Sequence, residues 1–196
     1  MPRIGLGKGD DKMWKSAVLA GLLVCTVPIC DVSAEARQFP FRGGDTIVML
    51  GDSITRQHLH TNYIELYCLS RFPQYRLRFR NSGVDGDTVS RAMARLEWDV
   101  LAWKPSVTTI ELGMNDAGSG PEHVPAYAEQ LKNLVVRIRR AGVRPVLLTA
   151  SPVNDGSTSD KMAEWNATLD KMAAEVVKLA KREDLPYADQ FLALLD

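Results

Sequence analysis

The chain has 196 residues, 45% hydrophobic and 24% charged, a composition and length that suit one globular domain with a substantial core. Basic and acidic residues balance at 24 each, and no basic stripe stands out, so nucleic acid is not an expected partner. Three cysteines, two of them before residue 31, rule out a disulfide-stapled scaffold for the body of the chain.

The amino end reads as a leader. Lys12 and Lys15 precede the apolar run from Ala17 to Val24, which extends to Cys30, and Val32-Ser33-Ala34 offers small residues at signal-peptidase positions. At about 14 residues the run is short for a membrane span of roughly 20. A secretory signal peptide over residues 1–34 is therefore expected, with Met13 opening a more typical leader than Met1. The mature domain would be 35–196, secreted or periplasmic, with no stable membrane span after cleavage; an uncleaved amino-terminal anchor is the alternative. Cys68, in an apolar helical stretch, is expected as a buried small hydrophobe.

From Phe39 onward apolar runs alternate with helical patterns, the signature of a parallel sheet covered by helices. Strands are predicted over 46–50, 76–80, 107–112, 144–150 and 186–189. The third and fourth are rich in β-branched and aliphatic residues. Helices are predicted at roughly 61–72 and 88–101, with Asp87 or Thr88 capping the second. Tyr127, Leu131, Leu134, Val135 and Ile138 fall on one helical face, as do Met162, Trp165, Leu169, Met172, Val176 and Leu179. Both stripes read as core-facing. The longest polar loop, 151–159, leaves the fourth strand on the side where open α/β sheets build their sites.

Three small polar motifs sit at the ends of strand-like runs: Gly51-Asp52-Ser53-Ile54-Thr55, Asn81-Ser82-Gly83 and Gly113-Met114-Asn115-Asp116. At a strand-to-helix turn, the Ser53 hydroxyl can project into a crevice while its own N–H faces a developing oxyanion. Asp-Ser before a helix is also ordinary capping. Gly83 lets a bare backbone N–H approach a reacting carbonyl, or simply makes a turn. Asn115 supplies an amide donor, or an Asx turn. The three together, in this order at neighbouring strand ends, form the equipment of acyl transfer.

These blocks resemble those of the SGNH (GDSL-type) hydrolases, from about Gly44 onward. The resemblance implies a flavodoxin-like three-layer αβα sandwich on a five-stranded parallel sheet. It implies a serine esterase that uses neither metal nor organic cofactor. It assigns Ser53 as nucleophile and Ser53 N–H, Gly83 N–H and the Asn115 amide as oxyanion hole, with Asp52 and Asp116 as supporting residues. The expected partner is a small-molecule or carbohydrate ester. The family's last block, Asp-x-x-His, has no counterpart: no histidine follows His123, and Asp189 precedes none. The triad His and Asp are thus absent from the chain as given, which reads as a domain incomplete at its carboxyl end and nearly inactive alone. His58, His60 and His123 are weak substitutes, and His58-x-His60 without a third ligand does not make a metal site.

Two other readings compete. A non-catalytic SGNH-like binding module would keep the crevice and bind a carbohydrate or acyl group without turnover. A flavodoxin-like nucleotide binder lacks Gly-x-Gly-x-x-Gly and the P-loop pattern, so nothing would cradle phosphates. Short acyl esters, including sugar O-acetyl groups, are the favoured substrates, because the crevice-forming loops carry few long apolar runs.

Overall fold

The structure, a computed structural model, describes residues 39–154, 156 and 159–195. The leader assigned to 1–34 lies outside the described residues. Five strands form one parallel sheet: β1 (Thr46–Gly51), β2 (Arg78–Gly83), β3 (Val107–Glu111), β4 (Arg144–Leu148) and β5 (Tyr187–Ala188). Their order is β2-β1-β3-β4-β5, a doubly wound arrangement whose order reverses at β1. Ligand crevices in such sheets open beyond the carboxyl ends of the strands at that reversal. β1 ends at Gly51 there, so Ser53 stands at the switch point.

The helices are α1 (Ser53–Arg56), α2 (Leu59–Arg71), α3 (Val89–Asp99), α4 (Val124–Arg140), α5 (Asp160–Arg182) and the short α6 (Gln190–Ala193). Two apolar clusters flank the sheet. One joins Val48, Leu50, Ile110 and Leu147 to α3, α4 and α5 through Leu96, Leu131, Leu134, Ile138, Leu169 and Met172. The other packs Ile47, Met49, Val107, Val146 and Leu148 against Cys68, Phe41 and Leu77. Alternate residues of each strand thus face opposite layers, as the two-residue strand period requires. β1 and β3 are buried throughout apart from Thr46, which fits a central pair covered on both faces.

The α/β class, the strand count and both core-facing helical stripes follow the sequence reading. Cys68 is buried and free, and Thr88 caps α3 by accepting from Arg91 N. The second strand differs most: β2 begins at Arg78 and runs through Gly83, two residues later than expected at its start and three at its end. Pro73 opens a 3-10 turn (Pro73–Tyr75), and Arg76 then takes a left-handed conformation (φ 51°) that delays the strand. Asn81-Ser82-Gly83 accordingly belongs to the strand, in register with Met49-Leu50-Gly51.

Candidate active site

Gly51 and Gly83 are direct partners across β1 and β2. Both lie under α1, which approaches too closely for any side chain. A Cβ on Gly51 would stand 2.0 Å from Thr55 Oγ1, and one on Gly83 would stand 2.2 Å from Arg56 N. This pair of glycines seats the Asp52-Ser53 turn directly on the sheet.

Asp52 caps α1, its Oδ1 accepting from Ile54 N at 2.9 Å. Ser53 is the first residue of α1, so its N–H has no acceptor earlier in the helix. Ser53 is half-buried, its hydroxyl makes no hydrogen bond among the described residues, and its oxygen is not sealed from solvent. The capping chemistry anticipated for Asp-Ser therefore falls to Asp52 and leaves Ser53 Oγ available.

Asn115 follows β3 and reaches Asp52, its Nδ2 lying 3.4 Å from Asp52 Oδ2 and donating to Asp87 O at 2.8 Å. The first and third motifs thus meet. Gly83 N donates to Asn81 Oδ1 at 2.9 Å, while Asn81 Nδ2 donates to Thr55 O at 2.6 Å and lies 3.1 Å from Thr61 Oγ1. Asn81 thereby ties the second motif to both α1 and α2. Asp116 Oδ1 accepts from Val89 N and fixes the start of α3, whereas its buried Oδ2 has no partner.

Burial pushes the Asp52 carboxyl up to about 6, reinforced by the neighbouring carboxylates of Glu111, Asp87 and Asp116. Asp116 is likewise raised to about 6, by burial and then by Asp87. The beginnings of α1 and α3 thus sit in a dense acidic cluster. Arg95 offsets it. From α3 its guanidinium donates to Asp87 Oδ2 (2.7 and 2.8 Å), Ser82 Oγ (3.0 Å), Ser82 O (2.9 Å) and Gly51 O (3.2 Å).

A further buried carboxylate, Glu111 at the end of β3, accepts from Thr55 Oγ1 at 3.0 Å and Gln190 Nε2 at 3.2 Å, and lies 2.9 Å from His60 Nε2. It links α1, α2 and the start of α6. Sequence reasoning missed Arg95, Glu111 and Gln190. One signal for Glu111 was present: it is the single charge in an otherwise β-branched and aliphatic strand.

None of the three histidines bonds to Ser53. His58 is exposed in a left-handed conformation (φ 62°), His60 is engaged by Glu111, and His123 lies 3.5 Å from Glu122 at the surface. Asp189 caps α6 and accepts from Thr149 Oγ1 at 3.1 Å. Among the described residues no group of His, Cys, Asp and Glu has a metal-holding arrangement.

On the far side of the crevice, Trp165 Nε1 donates to Met114 O at 3.3 Å, so this half-buried ring braces the third motif. Asn166 clasps Val153 through both backbone groups, accepting from its N–H at 2.8 Å and donating to its carbonyl at 2.9 Å. A cavity of about 550 Å³ lies elsewhere, between α5 and α6, against Ala173, Val177, Phe191 and Leu192. It contains none of the motif residues.

The profile of the GDSL-like lipase/acylhydrolase family matches residues 49–196. A Bacillus subtilis protein named as an uncharacterized lipoprotein is 32% identical over 178 residues, covering 76% of this chain and 72% of that protein. An acetylxylan esterase of Geobacillus stearothermophilus is 25% identical over 170 residues, covering 74% and 76%. The solved acetylxylan esterase from that organism superposes with a TM-score of 0.69 at 22% identity, over 80% of each chain, which shows the shared fold. Its catalytic mutants replace a serine, a histidine and an aspartate. With its own motifs seated at the carboxyl ends of the strands, the chain belongs to the GDSL-like lipase/acylhydrolase, or SGNH, family of carboxylic-ester hydrolases.

Proposed function

We propose that the protein is a serine esterase that hydrolyses short acyl esters, including O-acetyl groups on carbohydrates, through an acyl-enzyme on Ser53. The observation that carries this reading is the free, half-buried Ser53 hydroxyl at the switch point, with the Asn115 amide reaching the adjoining Asp52. In the first step Ser53 Oγ attacks the acyl carbon as its proton passes to a general base. The carbonyl electrons move to oxygen, then return as the alcohol leaves with that proton. Water repeats the sequence on the acyl-serine.

The oxyanion would be met by Ser53 N–H, Gly83 N–H and Asn115 Nδ2. Gly83 N–H and the Asn115 amide are held by acceptors of the protein itself, Asn81 Oδ1 and Asp87 O. A developing negative charge competes well for such donors, because charge-assisted bonds are about twice as strong as neutral ones. Asp52 and Asp116 act as supports: one caps the nucleophile's helix, the other fixes the start of α3.

The general base is the missing component of the reading, since none of His58, His60 and His123 bonds to Ser53, and His60 and His123 stand against Glu111 and Glu122. The 196-residue chain alone should therefore turn over aryl acetates several orders of magnitude below a complete triad enzyme. Added imidazole should replace the base and raise the rate, and Ser53→Ala should abolish that gain. Equal imidazole-dependent rates in both proteins would remove Ser53 from the chemistry and favour the binding-module reading. Secretion or residence in the cell envelope agrees with this activity and with the leader expected over 1–34. The lipoprotein name of the Bacillus subtilis relative supports an envelope location.

A further inference from the structure

α2 is built in reverse. Its sheet-facing side is modest, with Thr61 and Cys68 buried and Ile64 and Glu65 partly so. Its outer side carries Leu59 (64% exposed), Tyr63 (73%), Leu66 (65%) and Tyr67 (56%). At about 100° per residue these four fall within an arc of roughly 100°. A helix that is apolar on both sides requires cover on both. The open stripe amounts to several hundred Å² of leucine and tyrosine, which marks an interaction surface when contiguous.

What lies at the end of the stripe identifies its occupant. Arg71 closes α2, Arg76 follows the 3-10 turn, and Arg42 belongs to the loop that Gly44 N joins to Tyr75 O at 2.6 Å. All three are exposed, and none of their guanidinium groups has a carboxylate partner among the described residues, whereas those of Arg56, Arg95, Arg137, Arg139 and Arg144 all do; Arg42 meets Asp45 only through its backbone N–H, which donates to Oδ2 at 2.6 Å. In a chain of zero formal net charge, this is a local cationic excess beside an apolar face. Phe39, the first described residue, packs on Phe72 at 4.3 Å between ring centres, and Phe72 meets Tyr67 at 6.1 Å.

We infer that α2 is a membrane-surface docking element: its Leu59–Tyr63–Leu66–Tyr67 stripe rests in the interface of an anionic phospholipid bilayer, with Arg42, Arg71 and Arg76 on the headgroups. Tyrosine suits that level, having an apolar ring and a hydroxyl that stays wet. Basic side chains add electrostatic attraction to the apolar burial, and two such signals together hold a protein at a surface that one alone does not. Glu65, the carboxylate of α2, is half-buried beside the stripe and leaves the excess positive.

The test is vesicle co-sedimentation of the full chain with phosphatidylcholine alone and with phosphatidylcholine containing phosphatidylglycerol, at low and high salt. Binding to the anionic vesicles should be about tenfold tighter and weaken with salt. Leu66→Glu should reduce it about tenfold, and a triple substitution of Arg42, Arg71 and Arg76 to Gln should erase the preference for phosphatidylglycerol. Far-UV circular dichroism checks that the variants keep their helices. Equal binding to both vesicles, indifferent to both variants, would mean attachment through the amino-terminal stretch alone and overturn the inference. A concentration-dependent dimer lost in Leu66→Glu, with no vesicle binding, would overturn it in favour of a second copy of the chain. Aryl acetate hydrolysis with imidazole, measured without vesicles, should be the same in wild type and both variants, which separates this result from that for Ser53.

Discussion

A raised carboxyl pKa works against the folded state at neutral pH, and Asp116 makes the effect measurable. Its folded pKa of about 6 exceeds the ordinary 3.8, so between those values the native protein binds more protons than the unfolded chain. Stability should fall as pH rises through that window and stay lower above it. Asp116→Asn resembles the protonated acid and keeps an acceptor for Val89 N. At pH 8 it should be more stable than wild type by ~1–3 kcal/mol, with the difference vanishing near pH 4, in urea titrations at each pH. A pH-independent difference would mean that Asp116 is already neutral or exposed. Ser53 and Asn115 stood out as site candidates only jointly, since capping and Asx turns account for each alone but not for three such motifs in order at neighbouring strand ends. The bonds that occupy Asn115 and Gly83 were not, since sequence spacing gives no account of where Asp87 O or Asn81 Oδ1 will point.

At the level of elements, α1 is four residues long and has little stability of its own. Contact with Gly51 and Gly83 holds it. Gly83→Ala should push its Cβ into the backbone of Arg56, lifting the Asp52-Ser53 turn from the sheet. Stability should fall by about 1–3 kcal/mol, and imidazole-dependent turnover by a larger factor than global unfolding explains. A fully active, fully stable alanine variant would show that the turn has room to move. The strands and long helices could be anticipated because their apolar periods extend over many residues. α1 had no period to reveal it, and β2 was displaced by a left-handed residue at Arg76 that the amino-acid type does not announce. α2 was legible as a helix, but its inversion was not: alternating apolar runs say that surface will be covered, without saying by what.

For the whole molecule, Arg95 is the side chain through which distant parts share their fate. It bonds carbonyls at the ends of β1 and β2, and the Asp87 carboxylate before α3. Arg95→Met would leave the nearly buried Asp87 without its main counter-charge, a loss of about 3–5 kcal/mol for a broken buried pair. Denaturant midpoints should drop accordingly. Arg95→Lys should recover only part, because one ammonium cannot replace the fork that spans Ser82, Gly51 and Asp87. Full recovery with lysine would reduce the role to charge alone.

The clasp of Asn166 on Val153 fastens the exit from β4 to α5 through a single side chain. Whatever shifts the first turns of α5 therefore carries Val153 along, and Trp165, next to Asn166 on the same helix, passes that motion to Met114 after β3.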